Sequence, residues 1–384
     1  MSARRFFRLT HGWIGAVLAL FLVLVAGSGV SLAFMSEMFI AQYGDVLEAE
    51  APATGSAYIE IDEMLAAARD YQGETFMVGG VLMPHSRIPT VSTTLVFGIE
   101  EGGDPLNPLM VSVDPWTGEG KGSFLLGDAF SHDMIDFHFE LLMGDWGVVF
   151  VSILGLSLVG FTITGIWLWW PKKGSALKKM RKPVLRGRWR DKLFQLHGWL
   201  AVWTAVLVVF FALTGTATSK PEWFGPLLSN PMEAGPTGGQ WAEQCEGSVS
   251  LGRAVHQAQQ RFPGTEATTL SAFPGTPYMI YLRADGDVNR LMGDTIVWVH
   301  PSCEGMMATK QIFAESASEG IGGSMLSIHG GYIFGPVVGP ILVVLTGLAL
   351  IFFSISGVFV FFTRTLRRKA ADAAPEIGGH SSSR

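Results

Sequence analysis

Cysteine is nearly absent, with two in 384 residues, and neither belongs to a CxxCH, which excludes ordinary covalent attachment of a c-type haem. The chain also lacks a nucleophile–base motif, a phosphate-binding glycine loop and a nicotinamide or flavin fingerprint. Any nucleotide-dependent reductant must therefore be bound elsewhere or by another protein. Charge is sparse at 16% of residues, with a formal net charge of −6, and the basic residues gather in short segments. That balance gives no basis for nucleic-acid binding. What the sequence has in excess is apolar length. Four runs, roughly Gly12 to Phe34, Gly147 to Trp170, Leu196 to Thr218 and Tyr332 to Phe362, are each long enough to cross a bilayer.

Four spans put both termini on one side and two long connections, of about a hundred residues each, on the other. Arg4, Arg5 and Arg8 precede the first span, ten Lys or Arg lie between Lys172 and Lys192, and Arg364, Arg367, Arg368 and Lys369 follow the last. Basic flanks are retained in the cytoplasm, so the termini are expected there and the two inserts on the periplasmic side of a bacterial inner membrane. A cleavable leader is the competing reading of the first run, since "SGVSLA" closes it with small residues. The run is long for a leader, however, and it matches the third span, which is internal. On this basis the chain divides into a first transmembrane helix (1–36), a first periplasmic module (37–130), a second transmembrane helix (131–171), a basic cytoplasmic loop (172–192), a third transmembrane helix (193–219), a second periplasmic module (220–322), a fourth transmembrane helix (323–364) and a cytoplasmic tail (365–384), polar and expected to be disordered from Ala370 on.

The two halves repeat. "HGWIGAVLALFLVLVAGSG" from His11 and "HGWLAVWTAVLVVFFALTG" from His197 share spacing and a closing glycine, and "MIDFHFELLMG" aligns with "MLSIHGGYIFG", superposing His138 on His329. The inserts match too. "YIEIDEMLAAARDY" and "SVSLGRAVHQAQQRF" read as helices, each followed by strand-like runs that end in "LMVSVDPWTGEG" and "TIVWVHPSCEGM". The expected architecture is an α-helical membrane protein, a four-helix bundle made by duplication, carrying two α+β modules.

Four of the nine histidines thus occupy matched positions in or beside apolar spans, where an ionisable group is costly and marks function unless it merely sits among interfacial aromatics. Topology pairs them by depth, His11 with His197 towards the cytoplasm and His138 with His329 towards the periplasm. Two neutral imidazoles from neighbouring helices are the ligand set of b-type haem iron, so two haem b groups are expected. Zinc would ask for three or four ligands. Copper could recruit Met134, Met143 or Met325, which are otherwise ordinary core fillers. Gly12, Gly198 and Gly330 each follow a histidine and could leave room for a porphyrin, although Phe139 breaks the pattern after His138; Gly29, Gly165, Gly215 and Gly357 could clear space at the far ends of the spans. His85, His256 and His380 have no repeat partner and read as ordinary surface residues. His132 is an alternative ligand to His138, and with Asp133 and Asp136 it could line a site above the outer haem. The two cysteines, Cys245 and Cys303, fall in one exported insert and are expected to form a disulfide.

The "LTHGW" and "LHGW" helix starts, the histidines before the second and fourth spans and the "VDPWTGE" strand-turn resemble the PepSY-associated transmembrane family, which includes iron-regulated inner-membrane proteins and periplasm-facing siderophore reductases. The resemblance covers nearly the whole chain. It implies a four-span core holding two haems on His11, His138, His197 and His329, PepSY-like periplasmic modules, and reduction of ferric iron carried by a siderophore. "HPSCEG" departs from the "DPWTGE" turn, which puts the second module in question. The electron donor would be a quinol or a cytoplasmic flavoprotein. His132, Asp133, Asp136, Ser324 and Tyr332 are the candidates to meet the acceptor, chosen by closeness in sequence to the outer pair. The alternative is a non-enzymatic regulatory or partner-binding membrane protein whose PepSY-like modules carry the function.

Overall fold

The structure is a computed structural model that describes residues 2–372 except 87, 173, 184, 230–235, 237, 243 and 244. In chain order its helices are α1 (Ala3–Leu32), α2 (Met35–Tyr43), α3 (Ile61–Gln72), α4 (Phe130–Glu140), α5 (Asp145–Trp169), α6 (Ala176–Arg181), α7 (Trp189–Ser219), α8 (Leu251–Arg261), α9 (Ile312–Glu315), α10 (Ala317–Gly323), α11 (Met325–His329) and α12 (Val338–Asp372). The expected disorder from Ala370 gives way to helix as far as Asp372; the rest of the tail, His380 included, lies outside the described residues.

Among the described residues, four helices are long and apolar enough to cross a membrane, α1, α5, α7 and residues Val338–Thr363 of α12. Their large apolar side chains stay exposed, Val17 at 66%, Ile163 at 62% and Val206 at 80% among them. A soluble protein could not leave that much apolar surface in water, whereas a bilayer covers it. Helix α1 starts at Ala3 and α7 at Trp189, well before the apolar runs begin. His11 and His197 therefore sit roughly two turns inside their helices and not at the threshold. No glycine or proline interrupts "ARRFFRLT" or "WRDKLFQL", so helix propagates through the polar lead-in. The second and fourth spans are the reverse case. His138 belongs to the separate helix α4, which ends where Leu141 and Leu142 turn left-handed at φ 52° and 58°. His329 ends α11, and Gly331 at φ 79° turns the chain away before α12 begins at Val338.

The described chain forms two compact units, each drawing on all four spanning helices: Met1–Gly27 with Ile153–Leu213 and Leu345–Arg384, and Ser28–Ser152 with Thr214–Val344. The second unit holds both inserts. Strands β1 (Met77–Leu82), β2 (Thr94–Ile99), β3 (Leu109–Val113) and β4 (Gly120–Leu125) come from the first insert, and β5 (Glu266–Ser271), β6 (Tyr278–Arg283), β7 (Thr295–Val299) and β8 (Met307–Gln311) from the second. They are not two separate sheets. β1 pairs antiparallel with β5 through Gly80–Ser271, Val81–Leu270 and Leu82–Thr269, giving one eight-stranded sheet in the order β4-β3-β2-β1-β5-β6-β7-β8. Gly80 permits this junction, because a side chain there would strike the Leu270 carbonyl oxygen.

Alternation along the strands fills both faces of the sheet. Val111, Val113, Val297 and Val299 point into a core shared with α3 and α8, while Met110 packs with Phe39 and Leu47, and Ile296 and Trp298 with Ile312, on the other face. Helices α3 and α8 bury the same helical stripe, Ile61, Met64, Leu65 and Ala68 in one and Leu251, Ala254, Val255 and Ala258 in the other. Asp62 of α3 accepts from Ser250 Oγ (2.6 Å) and from the Gly252 backbone N–H (3.1 Å) at the start of α8, which links the two inserts a second time.

The departure of "HPSCEG" from "DPWTGE" leaves the turn intact. Asp114 Oδ1 accepts from the N–H groups of Trp116 (2.8 Å) and Thr117 (3.1 Å); His300 Nδ1 accepts from those of Ser302 (3.2 Å) and Cys303 (3.1 Å). An imidazole nitrogen replaces a carboxylate oxygen in the same role. Cys245 and Cys303 form the disulfide, and the closed loop of 58 positions would stabilise the fold by about 4 kcal/mol in the chain-entropy model. The Cys245→Ser, Cys303→Ser double variant is expected to unfold at clearly lower denaturant, followed by tryptophan fluorescence. An unchanged midpoint would contradict this.

Candidate functional site

The first unit has a partly open cavity of about 1030 Å³ lined by both His11 and His197, with Phe161, Trp169, Trp199, Phe353 and Phe361 among its walls. That is at the upper end of the size of small-molecule and cofactor sites, about 300–1,000 Å³. His11 Nδ1 lies 3.0 Å from Thr164 Oγ1, and His197 Nδ1 lies 2.8 Å from Ser356 Oγ. Each ring also meets a phenylalanine edge-on, Phe161 at 5.4 Å and Phe353 at 5.3 Å between centres. These partners come from "FTITG" and "FSISG", the same pattern on the second and fourth spans. Each hydroxyl also reaches its own helix backbone, Thr164 Oγ1 donating to the Gly160 carbonyl oxygen (2.8 Å) and Ser356 Oγ to that of Phe353 (3.4 Å). In the tautomer that carries its hydrogen on Nδ1, each imidazole donates to the hydroxyl oxygen.

In the second unit His138 and His329 face each other, their ring centres 6.2 Å apart and their planes 33° from parallel. Two imidazoles that share one metal through bonds of about 2 Å put their ring centres roughly 6 Å apart. Here too a hydroxyl holds each Nδ1, Ser28 Oγ at His138 (3.1 Å) and Thr214 Oγ1 at His329 (3.1 Å). The next residue is again glycine. A Cβ on Gly29 would lie 2.8 Å from His138 Cε1, and one on Gly215 would lie 2.7 Å from His329 Cε1; at Gly165 and Gly357 the distances to His11 and His197 Cε1 are 3.4 and 3.5 Å. All four histidines therefore rest on a hydroxyl–glycine dipeptide of another span. With Nδ1 engaged, Nε2 is the nitrogen that a metal would take.

His11 and His197 line one cavity, and it is His138, not His132, whose ring lies against that of His329. His132 Nε2 instead lies 3.9 Å from Asp136 Oδ2 on the same helix, and Asp133 is exposed beside them. Ser324 does not join them. It is 1% exposed and donates to Asp294 Oδ1 (3.5 Å), closing the loop before α11. Tyr332 is half-buried; burial and then the Glu37 carboxylate push its hydroxyl above the usual tyrosine range. The glycines after the histidines border aromatic side chains. A Cβ on Gly12 would meet Phe361 and one on Gly198 Trp169, so these two admit aromatic rings in close helix packing, while one on Gly330 would meet Tyr332 in the turn that follows. Gly29 and Gly215 clear space for the histidine rings themselves, whereas a Cβ at Gly165 or Gly357 would make an ordinary contact with His11 or His197. The residues missed from sequence are the four hydroxyls, Ser28, Thr164, Thr214 and Ser356. Their signal was a Ser/Thr-Gly dipeptide at the matched position of every span.

Comparison with curated proteins gives no match. The model of the PepSY-associated TM region, by contrast, matches residues 8–364, almost the whole of the duplicated frame from the first histidine helix to the end of the fourth span, and the chain belongs to that family.

Proposed function

We propose that this protein is a di-haem oxidoreductase of the bacterial inner membrane that carries electrons outward and reduces ferric iron held by a siderophore at the periplasmic face. The observation that supports it is the doubled histidine pair, each Nδ1 on a hydroxyl and the His138 and His329 ring centres 6.2 Å apart. The donor sets fit the group: two neutral imidazoles per site, an aromatic cavity at one and glycine-cleared rings at the other. His11 and His197 would hold an inner haem b, and His138 and His329 an outer one. A haem with two imidazole ligands supplies one-electron exchange at its iron.

The residues around these ligands fix ring orientation and exclude water. Arg8 and Lys179 at the wall of the first cavity belong to the basic segments that the positive-inside rule assigns to the cytoplasm. That orientation puts both inserts in the periplasm. An electron taken from a quinol or a cytoplasmic flavoprotein enters on the His11/His197 side, leaves on the His138/His329 side and converts ferric to ferrous iron, which hard oxygen chelators hold far more weakly. The inside-negative potential favours that direction by about 2.3 kcal/mol per charge per 100 mV if the whole field is crossed. His132, Asp133 and Asp136 on α4, with Tyr332 as a protonated hydrogen-bond donor, are the residues to meet the acceptor.

Purified protein is expected to be red, with two haems by the pyridine haemochrome assay. In nanodiscs, chemically reduced protein should be reoxidised by a ferric siderophore, with ferrous iron trapped by a chelator. Haems that stay reduced across a panel of ferric siderophores would sink the reductase reading. A colourless folded protein would favour the regulatory alternative.

A further inference from the structure

We infer that Ser28, Thr164, Thr214 and Ser356 are positioning residues that set the tautomer and the donor strength of the four histidines, and through them the redox potential of each site; this rests on the di-haem reading. Four hydroxyls at 2.8–3.1 Å from four Nδ1 atoms exceed what a bilayer needs from serine and threonine. In a span such hydroxyls are already satisfied by their own helix, as Thr162, Thr204 and Thr363 are by the carbonyls of Leu158, Leu200 and Phe359.

Ligation through Nε2 sets the direction of the bond at the first pair: Nδ1 then carries the hydrogen and donates to Thr164 or Ser356, whose own hydroxyls reach the Gly160 and Phe353 carbonyls. The matched dipeptides give Ser28 and Thr214 the same role at the second pair. An acceptor on Nδ1–H makes the imidazole a better electron donor through Nε2, which favours ferric over ferrous iron. A hydroxyl does this less than a carboxylate would, since it carries no charge. The four ligands are therefore neutral imidazoles with a modest, matched push. Removing one hydroxyl weakens that push and makes its own site easier to reduce.

The test is a redox titration, with electron paramagnetic resonance of the oxidised form, on full-length protein carrying Ser28→Ala, Thr164→Val, Thr214→Val or Ser356→Ala. Each variant is expected to keep two haems. The reduction equilibrium at its own site should shift towards the ferrous form by up to about tenfold, or about 59 mV for one electron, with altered ring orientation visible in the resonance of that site alone. Thr164→Ser and Ser28→Thr, which keep the hydroxyl, should return the native potential. Two-haem variants with native potentials and spectra throughout would overturn the inference while leaving the di-haem reading standing. Wild-type protein without haem would overturn both.

Discussion

Alanine in place of His138 or His329 is expected to remove the outer haem and spare the inner one, and alanine at His11 or His197 to do the reverse. The basis is that, on the di-haem proposal, each site would have two ligands, and that each pair lies within one compact unit. A single remaining imidazole loses both the second bond and the orientation it gave. Haem content of each purified variant should fall from two to one, with the Soret band halved. Loss of ferric-siderophore reduction in the His138 and His329 variants, with the remaining haem still reducible, would locate the exit step on that side. A His138→Ala protein with two haems and native spectra would defeat the assignment, and His132 would then have to be reconsidered as a ligand.

Gly29→Ala and Gly215→Ala are expected to act almost as strongly, and only at the outer site. A methyl group at 2.7–2.8 Å from Cε1 of His329 or His138 is closer than non-bonded carbon atoms approach. The ring, or the helix that bears it, would have to move. Both helices are tethered: the Phe130 N–H at the start of α4 donates to Gln42 Oε1 (2.8 Å), and Ser327 Oγ of α11 donates to Asn289 Oδ1 (3.0 Å). Misplacing one ligand by that much should cost most of the outer haem. The equivalent changes at the inner site, Gly165→Ala and Gly357→Ala, put the methyl group at 3.4–3.5 Å, an ordinary van der Waals contact. They should leave both haems in place. Equal loss from the inner and outer glycine variants, or none from either, would show that the difference in clearance has no bearing on ligand position.

Sequence alone determined the four spans, the duplication, the helix-and-strand content of the inserts and the four matched histidines. Each of these is a local or periodic signal: apolar length for a span, helical spacing of Ile61, Met64, Leu65 and Ala68 for α3, and repeated words for the halves. The cysteine pair was legible as well, because the sequence holds two and both fall in one insert. Where helices start and stop was less legible. The polar lead-ins to His11 and His197 carry no breaker and go helical, whereas the chain after His138 turns through two leucines that no composition rule marks as a stop.

What only the tertiary structure decided are the contacts between residues far apart in the chain. The inserts share one sheet because three residue pairs of β1 and β5 meet where Gly80 leaves room for the Leu270 carbonyl, and strand propensity is the same whether a strand pairs within its module or outside it. His138 rather than His132 faces His329 because the rotation of α4 turns one of them inward, a choice that spacing along a short helix leaves open. The four Ser/Thr-Gly dipeptides were visible as letters, yet serine, threonine and glycine are ordinary in membrane spans. Only folding, by setting each hydroxyl on the Nδ1 of a histidine 110 to 159 positions away, gave them a partner, because a hydrogen bond depends on distance and angle in space and leaves no period in the chain.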